Sequence, residues 1–248
     1  MALKRRAILV EASNLNGHPD LPGARVDVDN WRQHLVSNWG GAWEDAEIQV
    51  KHKPTWQDLC ITLALASYDD YVFLAFSGHG GHVRDKDLDE SLVQLNESES
   101  VPVRLLNPNS ARCTIVIDAC RQVVSRDMFI ENAFLAARME KAAADRAAYR
   151  ELFDRAVSAS ERGAIFMYAC AVGEAAGESA RSGGFYSQYL VQCSKDWHDN
   201  TPSGENSAFS AWNAHTCAAN RTTQRRPQQH PQYDGGRRNM HFPMAIRP

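Results

Sequence analysis

An α/β fold with a mostly parallel central sheet is predicted by three observations. The runs Val72–Phe76 and Thr114–Ile117 are apolar without alternation, as strands covered on both faces are. Strand and helix patterns alternate along the first half of the chain, the order that crossover connections require. Each of the two apolar runs also stops at residues able to do chemistry, Ser77-Gly-His79-Gly80 in one and Asp118-Ala-Cys120 in the other. Open parallel sheets bind ligands just beyond the carboxyl ends of their strands, so both stops fall where a site is expected.

Taken in order, Ala7–Val10 reads as the first strand, followed by a loop with Asn14, Gly17, Pro19 and Pro22. Asp27 to Leu35 has carboxylates at its start and apolar positions at helical spacing. Glu47–Val50 alternates and reads as the second strand. Thr55 suits an N-cap, with Asp58 three residues on, for a helix through Ala66. The third strand, Tyr71–Phe76, ends at His79. A polar, acid-rich stretch from Arg84 to Asn109 offers only Val101–Leu105 as a short strand, and Thr114–Ile117 is the fourth strand, ending at Cys120. The middle of the chain, from Glu131 to Glu161, has a three-and-four apolar spacing (Leu135, Met139, Ala142, Tyr149, Phe153, Ala156) and reads as an amphipathic helix with a solvated outer face. Ala164–Cys170 is a fifth strand, and a helix follows around Phe185, Tyr189 and Leu190. A polar helix at Ser207–Ala219, an arginine-rich loop at Arg225–Arg238 and a last strand, Phe242–Ile246, complete the chain.

Composition narrows the function classes. The 248 residues are 44% hydrophobic and 23% charged, as in a globular protein, and the net charge of −3 gives no general attraction to nucleic acid. No apolar run approaches the roughly 18–20 residues of a membrane span. The six cysteines, with no secretion signal, predict a cytoplasmic protein with free thiols, and no Cys/His cluster has zinc spacing. Cysteine and histidine brought together by the fold are the arrangement of a thiol nucleophile with its base. His79 and Cys120 are therefore the candidate pair, with His82 a weaker competitor for the base because it lies past the glycine turn.

These residues carry a resemblance. Ser77-Gly-His79-Gly80 and Asp118-Ala-Cys120 resemble the catalytic strand ends of caspase-like cysteine peptidases (the C14 peptidases), closer to metacaspases and bacterial caspase homologues than to animal caspases. The short animal signature Gln-Ala-Cys-Arg/Gln/Gly-Gly is matched with Asp118 in place of its glutamine and Gln122 in place of its final glycine. Leu21 to Val28, Asp87 to Leu92, and Ala169 through Leu190 resemble other metacaspase segments, so the likeness covers nearly the whole chain. It implies a three-layer caspase-haemoglobinase-like α/β fold with about six strands in one peptidase domain. Within it, residues 1–128 would be large-subunit-like, 129–162 a helical connector and 163–248 small-subunit-like.

The resemblance implies His79 as base and Cys120 as nucleophile, with the backbone N–H groups of Gly80 and Cys120 as oxyanion hole. It places Asp27 and Asp118 on the floor of the S1 pocket, where two acids favour arginine or lysine at P1. Asp27 also reads as a carboxylate satisfying a helix N-terminus, and Asp29 replaces it if the loop alignment slips by two. Glu174 and Glu178 are candidates for the pocket rim. For such an enzyme Arg138, Lys141, Arg146, Arg150 and Arg155 in the connector become self-cleavage candidates. No cofactor is required. Calcium is an option, with Asp127 and then Glu97 or Glu99 as ligands, though the six to eight oxygens of a calcium site are not assembled by the sequence. Expected partners are peptide or protein substrates with basic P1, and an activating small molecule or protein, in bacterial defence or programmed cell death. The Arg225–Arg238 loop, with His230, is a candidate contact for a phosphate-bearing activator.

Overall fold

The structure, a computed structural model, describes residues 3–84, 89–123, 146–204 and 207–248. In chain order β1 (Arg5–Ala12) leads through α1 (Pro22–Val36) to β2 (Ile48–His52), then through α2 (Trp56–Ala66) to β3 (Tyr71–Gly78). An antiparallel insert of β4 (Gly80–Arg84), β5 (Asp89–Gln94) and β6 (Ser100–Pro102) precedes β7 (Arg112–Asp118). After it come α3 (Arg146–Ala159), β8 (Gly163–Tyr168), the short pair β9 (Glu178–Ser179) and β10 (Gly183–Gly184), and α4 (Phe185–Asn200). The chain closes with β11 (Ser207–Ser210), α5 (Ala211–Arg225), β12 (Gln232–Asp234) and β13 (Pro243–Arg247).

The central sheet has six strands in the order β12-β8-β7-β3-β1-β2. All its pairs are parallel except β12 on β8. Successive residues of β3 point to opposite faces and all are buried. Tyr71, Phe73 and Ala75 join one core with Trp31 of α1, Phe153 of α3 and Leu190 of α4. Val72, Leu74 and Phe76 join the other, with Leu59 and Leu63 of α2 and Val93 and Val101 of the insert. Two buried faces explain why the strand sequence does not alternate.

Several boundaries differ from the sequence expectations. Helix α1 begins at Pro22, ahead of Asp27, because proline is pre-set for the first helical position. Arg84–Asn109 was expected to hold one short strand and instead carries most of the three-stranded insert, with a 3-10 turn over Val103–Leu106. The expected last strand exists as β13 but pairs with β11 in a separate two-stranded sheet. The sixth place in the central sheet is filled by β12, from the stretch read as loop.

Of the stretch expected to form a long middle helix, the described part is α3. It is pinned to the sheet by Arg5, whose buried guanidinium bonds Asp154 (3.0 Å) and the Gly41 carbonyl (2.8 Å) and lies over Trp43. Arg146, Arg150 and Arg155, three of the suggested cleavage points, sit in this helix, the first two bonded to the Val36 carbonyl (2.7 Å) and to Glu47 (2.9 Å). Arg138 and Lys141 lie outside the described residues. The expectation of six free thiols is also corrected. Cys193 of α4 and Cys217 of α5 form a disulfide, which leaves Cys60, Cys113, Cys120 and Cys170 free.

Candidate active site

β3 and β7 are adjacent, with Ser77 opposite Asp118 in register. His79 and Cys120 each lie two residues beyond that pair, so parallel pairing delivers both to one end of the sheet. Gly80 is packed against the nucleophile loop, where an added Cβ would stand 2.8 Å from the Ala119 Cβ and 3.0 Å from the Cys120 carbonyl. No larger residue fits that approach.

The His79 Nε2 donates to the Ser13 carbonyl (3.2 Å), which leaves Nδ1 as the nitrogen able to take a proton. Burial pushes the imidazole down to about 4, helped by the neighbouring His18 ring. Burial likewise raises the Cys120 thiol above its ordinary value, and Asp118 and Glu178 add to this, while the Ala176 backbone and the Arg226 charge oppose it. The resting pair is therefore a neutral thiol and a neutral imidazole. His82 is excluded as base. It is buried with both nitrogens engaged, Nδ1 with Ser91 (3.1 Å) and Nε2 with Asp89 (2.6 Å).

Beside Cys120 a cavity of about 30 Å³ is walled by Asp27, Ser77, Asp118, Ala176, Glu178 and Gly184, among others. Asp27, in the second turn of α1, accepts from the Ser77 hydroxyl (2.5 Å) and the Gly184 N–H (2.9 Å). Asp118 accepts from the Ser187 N–H (3.0 Å) in the first turn of α4. Burial raises both carboxyls, Asp27 well above the usual range with Asp118 adding to the effect. Asp29 is elsewhere, half-exposed and in the fields of Arg32 and His52, so the alternative alignment fails.

Glu178 is in the wall, where its carboxylate also accepts from the Gly23 and Ala24 N–H groups at the start of α1. Leu21, the residue at the N-cap, provides no side-chain bond of its own. Glu174 is not at the pocket. It pairs with His230 (2.6 Å) and accepts from the Ala171 N–H (3.1 Å).

Sequence reading missed Ser13, Ser77, Ser187 and Gln229. The buried Gln229 takes the Gly177 N–H (2.9 Å) and gives its amide to the Ala169 carbonyl (2.9 Å), holding the cavity wall. The role of each was hidden because its partner lies far away in sequence: Ser77 and Ser187 serve the carboxylates of Asp27 and Asp118, Ser13 offers its carbonyl to His79, and Gln229 bonds two main-chain groups. The arginines in and beside the 225–238 loop do not gather into one patch. Arg238 bonds the Glu161 carbonyl (2.7 Å), Arg221 pairs with Asp196 (2.8 Å), and Arg225 lies over Phe185.

Of the calcium ligands suggested from sequence, Glu97 and Glu99 are each engaged with other partners. Glu97 is paired with Lys53, and Glu99 accepts from the Trp56 N–H (3.0 Å) and Asn96 (2.6 Å). Asp127 lies outside the described residues, and among the described residues no group of three or more His, Cys, Asp or Glu is placed to hold a metal ion. No helix among them is long and apolar enough to cross a membrane.

The family model for the caspase domain of the C14 peptidases matches residues 4–235. The chain is 27% identical over 151 residues to Metacaspase-1 of Schizosaccharomyces pombe, covering 50% of this chain and 35% of that protein. It is 24% identical over 151 residues to Metacaspase-1 of Scheffersomyces stipitis, covering 50% of this chain and 37% of that one. With Metacaspase-1A of Neurospora crassa it shares 32% identity over 97 residues, 35% of this chain and 21% of the other. Each match thus spans little more than a third, or less, of the relative's length.

Proposed function

The chain belongs to the caspase-domain family of cysteine peptidases, and from that premise we propose that it is an endopeptidase cutting after arginine or lysine with Cys120 as nucleophile and His79 as base. The observation that carries this reading is the pair of buried carboxylates, Asp27 and Asp118, facing a cavity that also borders Cys120. A basic side chain is the natural occupant of such a pocket, and arginine meets a carboxylate with two parallel hydrogen bonds.

In the reaction His79 Nδ1 accepts the Cys120 proton as sulfur attacks the scissile carbonyl. The developing oxyanion is met by the N–H groups of Gly80 and Cys120. His79 then gives its proton to the leaving amine, and the acyl group remains on sulfur as a thioester. Water, deprotonated by the same imidazole, attacks the thioester, and the proton returns to the thiol as the acid leaves.

The neutral resting dyad and the narrow pocket support a regulated enzyme. A volume of about 30 Å³ admits about two waters, so an arginine head enters only after the walls around Gly184 and α1 part. An activating protein or small molecule would supply that opening. We assign the 129–162 stretch as the connector between the two halves, with Arg138, Lys141, Arg146, Arg150 and Arg155 as the candidate self-cleavage points, of which Arg146 and Arg150 are held by bonds within a helix. Its setting in bacterial defence or cell death, and in the cytoplasm, rests on the family resemblance. The Cys193–Cys217 disulfide instead suits an oxidising compartment.

The test is cleavage of fluorogenic peptides ending in Arg, Lys or Asp, with and without calcium, beside Cys120→Ala. Cleavage after Arg or Lys that the substitution abolishes is expected. Cleavage after Asp alone, or activity that survives the substitution, overturns the reading.

A further inference from the structure

Arg226 follows the end of α5 and opens the loop that leads back to β12. Its guanidinium lies against Gly177, where a Cβ would stand 2.5 Å from Nη1. Gly177 lines the cavity together with Cys120, so this cation stands at the rim of the proposed cleft, close enough for its charge to act on the thiol. Its position is built. The Arg226 N–H donates to the Thr222 carbonyl (2.8 Å), its carbonyl accepts from the Gln229 N–H (2.9 Å), and Gln229 in turn fixes Gly177. Next to it the Arg225 guanidinium lies 4.0 Å over the Phe185 ring, whose edge also borders Gly177.

Among the described residues the Arg226 guanidinium has no counter-ion. Arg226 is half-buried, yet among the described residues no ion pair or side-chain hydrogen bond holds its head group, in contrast to Arg221 one turn earlier, which pairs with Asp196. The acids of the cleft do not serve it. Asp27, Asp118 and Glu178 take their hydrogen bonds from Ser77 and from the N–H groups of Gly184, Ser187, Gly23 and Ala24. A partly desolvated charge with no partner is costly, and the position is open to a chain lying across Cys120.

Building on the peptidase reading, we propose that Arg226 is a specificity-determining residue that receives the carboxylate of an aspartate or glutamate flanking P1 in the bound substrate. The preferred peptide then carries opposite charges side by side, a basic side chain in the Asp27–Asp118 cavity and an acidic one on Arg226. Each half of that recognition uses a charge-assisted contact.

Two measurements test this. Peptides with Arg at P1 are scanned with Asp, Glu, Ala and Lys at each position from P4 to P2 and at P1′ and P2′. At one of these positions kcat/KM for the acid should exceed that for alanine by about 10-fold to 100-fold, the range of a hydrogen bond to a charged group. Arg226→Gln should bring that ratio close to one, mainly through KM, and Arg226→Glu should turn the preference toward Lys. A uniform fall for all peptides would overturn the proposal and leave Arg226 as an electrostatic aid to the thiol.

The second measurement needs no peptide cleavage. The rate of Cys120 alkylation by iodoacetate is divided by that for iodoacetamide, with the modified cysteine identified by peptide mapping. Arg226→Gln should lower this ratio severalfold, and an unchanged ratio overturns the proposal. If Cys120 alkylates but no peptide is cut, the pocket has stayed closed and the ratio alone decides the role of Arg226.

Discussion

Cys120 and His79 rest without charge because both are largely enclosed, and this has a consequence for reactivity. The thiolate is the reactive form, and burial holds the thiol above its ordinary value while the imidazole sits near 4. Alkylation of Cys120 by iodoacetamide in the resting protein should therefore be slow at neutral pH and climb only through the alkaline range. A rate already at its plateau below pH 7 would mean a preformed thiolate–imidazolium pair.

The two pocket acids behave in the opposite sense to ordinary surface carboxylates. Their raised values mean that a substrate cation binds best once they have ionised, so KM for P1-arginine peptides should fall as pH rises above the usual carboxylate range. Asp118→Asn should lower kcat/KM for such peptides by about 100-fold to 1,000-fold, the cost of removing one partner from a buried charge pair, with little loss for a neutral P1. Stability follows from the same sign. A carboxyl that keeps its proton longer in the folded state than in the unfolded one loses stability for the fold as pH rises from about 4 through the folded value. Asp27→Asn should thus raise the urea midpoint at pH 8 and leave it nearly unchanged at pH 4. Asp27 and Asp118 were legible because each lies at a recognisable place in a motif. Ser77 and Ser187 were not, since a serine that serves one carboxylate, by its hydroxyl or by its backbone N–H, looks like any other serine.

Helix α1 is the element on which the cavity depends. It starts at Pro22 and places Asp27 on its buried face one and a half turns later, while Glu178 closes its free N–H groups from the far end of the chain. Gly23 lets that carboxylate in, since a Cβ there would stand 2.7 Å from Glu178 Oε2. Glu178→Ala should cost about 1 kcal/mol as a lost helix cap and raise KM for basic peptides by loosening Asp27. Glu178→Gln keeps an acceptor for the N–H groups, so it should restore most of the stability without the charge. Equal losses in both variants would show that the charge, and not the cap, matters. The helix was visible from its apolar spacing, but its start was misplaced because carboxylates at Asp27 and Asp29 looked like capping residues. The antiparallel insert was missed for a related reason: the acids of Arg84–Asn109, several of them paired with Lys53, Arg84 and Arg104, interrupt its apolar residues, of which Val93, Leu95, Val101, Val103 and Leu106 are buried all the same.

At the scale of the whole molecule, pairing of distant segments makes the site. β3 and β7 bring His79 and Cys120 to one edge, and α1, the β9–β10 pair and the first turn of α4 close the pocket over it. The parallel centre was legible from uninterrupted apolar runs. The exchange of β13 for β12 at the sheet edge was not, because a three-residue strand between prolines and glycines has no periodicity to read. The disulfide was equally hidden, since partners are chosen by the packing of α4 on α5 and not by spacing.

That bond sets two demands against each other in a test tube. A cysteine nucleophile is kept active by dithiothreitol, while Cys193–Cys217 is opened by it, at a cost of about 3 kcal/mol for a loop of this length if chain entropy dominates. Activity plotted against dithiothreitol concentration should rise and then decline together with the melting temperature. A double Cys193→Ser, Cys217→Ser variant should melt lower from the outset and show only the rise. The assay buffer is then a reagent acting on the scaffold as well as on the nucleophile, and a preparation judged inert at high reductant has been tested with the brace between α4 and α5 undone.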